Sequence, residues 1–176
     1  MKYIRPNLTY WFGTDDKGNS LFDAVWAGTR NSLFVSFAST FIVVVVGVIV
    51  GMWWGFSKRV DAVMIEVHNV VANIPMTLIG MVLMYALGPG MWQLIFAMSI
   101  TSWISVAYFI RVQVMIIRDR EYNLASRCLG TSNHTIISKN ILPYLISVIM
   151  TEVSCDIPSF ISLEVFFSYL GIGLSR

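Results

Sequence analysis

Long apolar stretches broken by short polar ones dominate the chain. From Ser32 to Phe56 there is no charged residue, a run longer than the roughly 20 apolar residues a helix needs to cross a bilayer. Within it Gly47, Gly51 and Gly55 repeat every four residues. This is either a seam for close helix packing in lipid or simply the usual glycine content of membrane helices. Asn69–Leu87 is a second uncharged stretch. Its polar residues Asn69, Asn73 and Thr77 fall at i, i+4 and i+8 beside Pro75, which removes a backbone hydrogen bond and predicts a kink. Such a stripe either lines a solute path or ties two helices together. Met91–Ile110 is a third span, with Trp92 and Trp103 as interface anchors and Ser99, Thr101, Ser102 and Ser105 as packing hydroxyls. Ile141–Leu174 is too long for one span. A split at Pro158 predicts a crossing helix over 141–157 and a second, tilted or re-entrant helix over 159–174 near the outer face.

Residues 1–31 alternate apolar and polar groups and do not span. Trp11–Gly18 is turn-rich. Ser20 with Asp23 predicts the cap of a short interfacial helix whose apolar stripe is Leu21, Phe22, Val25 and Trp26. Asp61–Val67 is a short amphipathic link, and His68 reads as an ordinary interfacial histidine. The longest polar interruption is Glu121–Pro143. Tyr122, Ala125 and Leu129, widened by Leu124 and Cys128, predict one short helix. Gly130 ends it, Thr131 or Ser132 caps a second, and Ile136, Ile137 and Ile141 form the second apolar face.

Charge sets the orientation. Lys58, Arg59, Arg111, Arg118, Arg120, Arg127 and Lys139 put seven basic residues on one side, whereas the Gly88–Gly90 turn on the other has none. The positive-inside rule predicts that Glu121–Pro143 is cytoplasmic. Composition agrees with the membrane reading: 56% hydrophobic, only 12% charged, mean hydropathy +0.70, against about a quarter charged in soluble domains. A net charge of +2 gives no reason to expect nucleic acid. Residues 1–31 lack the pattern of a secretory signal. The two cysteines, Cys128 and Cys155, fall in unlike environments, so neither a structural disulfide nor a metal site is expected. Asp15 and Asp16 lack the ligand spacing of a calcium loop.

Glu152 and Asp156 lie i, i+4 in the 141–157 segment. An acid at mid-membrane costs about 2.5–3.5 kcal/mol on insertion scales. The pair therefore either faces a wet cavity, or sits near the outer interface or protonated within the bundle. Glu164 is expected at the outer interface. There is no glycine loop with Lys-Ser/Thr for nucleotide and no nucleophile or acid–base constellation. His68 and His134 are isolated.

A polar helix–turn–helix between spans is either a connector or a docking element. Here the stretch resembles the "EAA" loop of ABC-importer permeases, Glu-Ala-Ala, three residues, Gly, nine residues, Ile, one residue, Leu-Pro. Leu124, Ala125 and Ser126 stand at the Glu-Ala-Ala positions, Gly130 at the glycine, Asn140 at the isoleucine and Leu142-Pro143 at the end. The first Ala, the Gly and the Leu-Pro match; three positions depart. Glu121, Tyr122, Leu124, Ala125, Arg127, Leu129 and Gly130 fit the longer form typical of the oligopeptide/dipeptide branch. Phe12, Gly13, Thr14, Asp15 and Gly18 resemble that branch's Phe-Gly-Thr-Asp segment, with Asn19 and Ser20 in place of Arg-Asp. Gly28, Arg30 and Ser32 match its Gly-x-Arg-x-Ser element.

The resemblance implies an all-α polytopic bundle of the type I importer permease kind, here about four spans plus a re-entrant or outer helix. It divides the chain into an extracellular or interfacial segment 1–31 and a permease domain 32–176 with its coupling loop at 111–143. It implies a transport subunit, not an enzyme, in a bacterial cytoplasmic membrane, and most of all one for oligopeptides. Glu121, Tyr122, Leu124, Ala125, Ser126, Arg127 and Gly130 would couple to a cytoplasmic ATPase, with Ala125, Ser126 and Cys128 as the close-approach face and Glu121 and Arg127 at its rim. Asn69, Asn73, Pro75, Glu152 and Asp156 would line the path. ATP and magnesium would sit on partner ATPases, and no cofactor on this chain. A second homologous permease, an extracellular solute-binding protein and membrane lipid complete the implied partners. The family also has a span before the Phe-Gly-Thr-Asp segment and one after Gly171–Arg176, so this reading expects a fragment or truncated product. The alternative is an ion-coupled secondary transporter or channel-like bundle using Glu152 and Asp156 as a relay. An inert membrane scaffold is a third possibility.

Overall fold

The structure, a computed structural model, describes residues 3–173. Lys2 and the end of the Gly171–Arg176 run lie outside the described residues. The chain forms α1 (Leu21–Phe56), α2 (Lys58–Ala72), α3 (Met76–Leu87), α4 (Met91–Arg118), α5 (Glu121–Cys128), α6 (Asn133–Thr135), a π-helix (Ile136–Ile141) and α7 (Leu142–Tyr169). Three helical stretches are long and apolar enough to cross a membrane, or four if the bent α2–α3 pair counts as one.

Helices α1 and α4 form the spine. The buried stripe of α1 (Val35, Ser39, Val43, Gly47, Gly51 and Trp54 among its members) follows helical periodicity. The glycines are there for close approach. A Cβ on Gly47 would lie 2.7 Å from Val106, one on Gly51 2.5 Å from the Ala107 carbonyl oxygen, and one on Gly55 2.6 Å from that of Arg111. Of the two readings of this repeat, the packing seam is the one the structure adopts. Val106, Ala107, Ile110 and Val114 are buried on the α4 side. Helix α7 packs across this pair through Leu145, Phe160 and Phe167, and Phe167 meets the bare face of Gly80 on α3. Large apolar side chains such as Phe41, Val82 and Val165 point outward, as lipid-facing positions require.

The boundaries depart from the sequence expectation in several places. Helix α4 runs past Ile110 to Arg118, so residues 111–118 of the expected coupling loop 111–143 are helix, and the Asp61–Val67 link is part of α2. The short interfacial helix and the first span are one helix. Ser20 caps it, accepting the Asp23 N–H at 3.4 Å, and no residue between 21 and 56 breaks it. Its stripe Leu21, Val25 and Trp26 is exposed, with Phe22 alone in edge contact with Trp11, Phe12 and Trp26.

The 69–87 span is not a single kinked helix. The α2–α3 pair is bent by 76°. Pro75 has no N–H and forces Ile74 out of helical geometry. Asn73 turns its side-chain amide back onto the Asn69 carbonyl, ending α2. The stripe is therefore divided, with Asn69 and Asn73 at the end of α2 and Thr77 on α3.

A further departure is at Pro158, which lies inside α7 without splitting it. Around it the Ser154, Ser159 and Ser162 hydroxyls donate to carbonyls one turn back, those of Met150, Cys155 and Pro158, at 2.8, 2.8 and 3.0 Å, so these polar side chains are satisfied within the helix. The separate outer helix over 159–174 is thus the continuation of the crossing helix.

Candidate functional site: the 121–143 loop and its attachments

Helix α5 begins with the exposed acid Glu121 in its first turn, favourable to the helix dipole. It ends in a Schellman cap. Gly130 takes φ 79°, its N–H donates to Arg127 O at 2.9 Å, and the Thr131 N–H to Ser126 O at 3.0 Å. No atom lies near a Cβ built on Gly130, so the left-handed conformation alone calls for glycine. Ser132, rather than Thr131, caps the next helix through Thr135 N–H at 3.3 Å. The π-helix buries Ile136, Ile137 and Ile141, as the pattern predicted, and Pro143 sits where the π-helix passes without a break into α7.

The helix is inverted relative to a soluble one. Tyr122, Leu124, Ala125, Cys128 and Leu129 are exposed, Leu129 at 86%, while the polar Asn123 is fully buried. Asn123 donates to Ile117 O at 2.9 Å and accepts from the Asn140 side chain at 3.0 Å. Asn140 also reaches Ser126 Oγ at 3.4 Å. Sequence reasoning missed Asn123. The signal was Asn140, a polar residue where the loop pattern has isoleucine, which needs a partner once its helix packs.

Two residues assigned to the docking face turn inward. Ser126 is half-buried and donates to Tyr122 O at 2.9 Å. Arg127 leaves the rim to lay its guanidinium over Phe56, 4.8 Å from the ring centroid. They lie on the Asn123 side of α5, toward the α1 end and the π-helix. Glu121, Tyr122, Leu124, Ala125 and Cys128 remain outward.

Above the loop, charged side chains knit the helix ends. Arg118, 6% exposed, donates to Gly55 O at 2.9 Å and pairs with Asp119 at 2.9 Å. That hydrogen bond holds the Asp119 carboxyl below the ordinary carboxylate range. Arg111 forks onto both oxygens of Asp61, the Nη2 arm at 3.0 Å. Trp54 Nε1 donates to the same carboxylate at 2.9 Å. Arg111 also lies over the Trp54 and Tyr108 rings, and His68 stacks on Tyr108 with centroids 4.2 Å apart.

The expected path residues are not gathered. Asn69, Asn73 and Pro75 are exposed at the α2–α3 break. Glu152 and Asp156 are half-buried on α7, and Asp156 Oδ2 has no hydrogen-bond partner among the described residues. An apolar groove of about 290 Å³ between α2, α3 and α4 is lined by Val67, Val71, Met76, Ile79, Trp103 and Ile104 among others and includes none of the five. Glu164 is buried within the protein and accepts from Ser32, at the start of the first apolar run, at 2.9 Å and from Ser168 at 2.8 Å. The Gly-x-Arg-x-Ser element thereby meets α7.

Spans packed on a glycine seam, with a polar helix–turn–helix between the last two, define a polytopic helical membrane protein built around a loop of transport-permease type. Residues 43–176 match the model of the family described as "Binding-protein-dependent transport system inner membrane component", and the chain belongs to that family. It is 56% identical over 174 residues to the oligopeptide transport system permease protein AmiD of Streptococcus pneumoniae, covering 99% of this chain and 56% of that protein. It is 36% identical to the dipeptide transport system permease protein DppC of Bacillus subtilis, covering 97% and 54%. The oligopeptide transport system permease protein OppC of the same organism is also 36% identical, covering 96% and 56%. The chain spans about half the length of the curated relatives it matches.

Proposed function

We propose that this chain is a transmembrane permease subunit of an ATP-driven importer of oligopeptides, contributing to the translocation path and coupling through α5 to a cytoplasmic ATPase. The observation that carries the coupling role is the inversion of α5, whose apolar side chains face outward while Asn123, Ser126 and Arg127 hold it from behind. A rigidly seated helix with an exposed apolar face is built for a groove on another protein. The seven basic residues on the loop side support a cytoplasmic position in a bacterial inner membrane, with segment 1–31 outside and the permease domain from residue 32 onward.

The substrate class rests on the relatives' names, which are oligopeptide and dipeptide permeases. The chain performs no bond chemistry itself. ATP and magnesium belong to the partner ATPases, a second permease completes the path, and a solute-binding protein delivers peptide from outside. Glu121, Tyr122, Leu124, Ala125 and Gly130 form the docking element, with Ser126 and Arg127 as its supports. Asn69, Asn73, Pro75, Glu152 and Asp156 are the candidates for contact with solute. The family match and the peptide-permease relatives favour this reading over the ion-relay alternative.

The test is a mild-detergent purification of the tagged chain from native membranes. ATPase subunits and a second permease should co-purify, and peptide uptake by vesicles should require ATP. Uptake driven by an ion gradient without any ATPase would overturn the reading.

A further inference from the structure

We propose that Trp54-Gly55-Phe56 is the junction that carries movement of α5 to α2, with the Asp61–Arg111 ion pair as the latch on α2; this rests on the coupling role proposed above for α5. Three consecutive residues at the end of α1 each hold a different element. Trp54 donates to Asp61 on α2. Gly55 receives Arg118 from the end of α4. Phe56 carries the Arg127 guanidinium of α5.

The packing on either side of this junction is unequal. The α1–α4 seam has no slack at Gly55, where a single added carbon would collide with the Arg111 carbonyl, and close-packed interfaces transmit displacement rather than absorb it. Helix α2 buries no residue of its own. Apart from Met64, Ile65 and Val71, which pack only partly buried against Trp54, Ile104 and Ala107, its attachments are the Asp61 carboxylate in its first turn and His68 against Tyr108 two turns later. At its far end the 76° bend at Asn73–Pro75 separates it from α3. Strain entering at Phe56 cannot be taken up between α1 and α4, so it passes to the lightly held α2. Asn69 and Asn73 ride on the end of that helix.

The experiment uses the intact complex from native membranes, with nitroxide labels at the exposed positions Val63 on α2 and Ile116 on α4. Distances are read without nucleotide and with ATP trapped. The wild-type distance should differ between the two states. Phe56→Leu should keep its ATPases and hydrolyse ATP, lose the distance change, and deliver about tenfold less peptide per ATP. Phe56→Tyr keeps the ring under Arg127 and should restore both. Asp61→Asn should also uncouple while leaving the ATPases bound. An unchanged wild-type distance, or normal peptide per ATP in Phe56→Leu, overturns the junction alone. A wild-type complex that holds no ATPase overturns the coupling role beneath it as well.

Discussion

Asn140 donates its side-chain amide to Asn123 Oδ1 at 3.0 Å. Asn123 passes the bond on to Ile117 O at 2.9 Å. One buried amide thus joins the end of α4, the helix α5 and the π-helix. Removing either partner leaves an unmet polar group in a dry site, which costs about 1–3 kcal/mol. Asn140→Ile, the residue of the loop pattern, should therefore destabilise the protein when made alone. Asn123→Leu combined with Asn140→Ile should recover most of the loss. Thermal melting in detergent checks both, and equal melting of the two variants would sink the account.

The α1–α4 seam predicts opposite outcomes for two glycine substitutions. Gly51→Ala places a carbon 2.5 Å from a backbone oxygen and should destabilise by about 1–3 kcal/mol through overpacking. Gly28→Ala adds a carbon in open space at a helical position and should stabilise by about 0.5–1 kcal/mol. The melting temperatures of the two variants should bracket that of the parent.

The outer segment has its own pH dependence. Asp15 accepts N–H bonds from Asn19 at 2.8 Å and Lys17 at 2.9 Å. The Asn19 bond leads in holding its carboxyl below the ordinary range. A carboxylate lowered in the folded state stabilises its turn above the unperturbed value and loses that contribution as pH falls through the lowered one. The 15–19 turn should thus hold at neutral pH and loosen only below about pH 3.9. Amide exchange at Lys17 and Asn19, corrected for intrinsic rates, should show this. Asp15→Asn should give the loosened rates already at pH 7.

Leu129 is 86% exposed, so Leu129→Ser should leave the melting temperature of this chain unchanged. If α5 docks by its apolar face, the same change should cut recovery of the ATPase by about tenfold, the effect of losing an interface anchor. Ala125→Asp should do likewise, because it buries an unpaired charge at a close contact. Full ATPase retention in both variants would remove α5 from the interface.

The all-helical membrane class, the apolar runs that hold the spans, the position of α5, the left-handed Gly130 and the buried Ile136, Ile137 and Ile141 were legible in the chain. Each follows from local causes: the length of an apolar run, the 3.6-residue period, the conformational freedom of one glycine. Local rules also misled at the two prolines. Pro75 and Pro158 remove the same backbone donor. The chain breaks at the first, where the Asn73 side chain folds back on the Asn69 carbonyl at the end of α2, and runs on at the second, inside α7. That outcome depends on the neighbours that hold each side.

Folding settles which partner each polar residue meets. Asn123 with Asn140, Asp61 with Arg111, Ser32 with Glu164 and Arg127 with Phe56 are separated by 17, 50, 132 and 71 positions in sequence. No period of 2 or 3.6 residues encodes such pairs. They arise once the glycine seam brings α1 against α4 and α7 closes over both, because a polar group withdrawn from water must bond to whatever the packing places beside it. Local rules along the chain set the helical class and the loop between the spans; the packing decided which side chains became anchors and which face of α5 was left open.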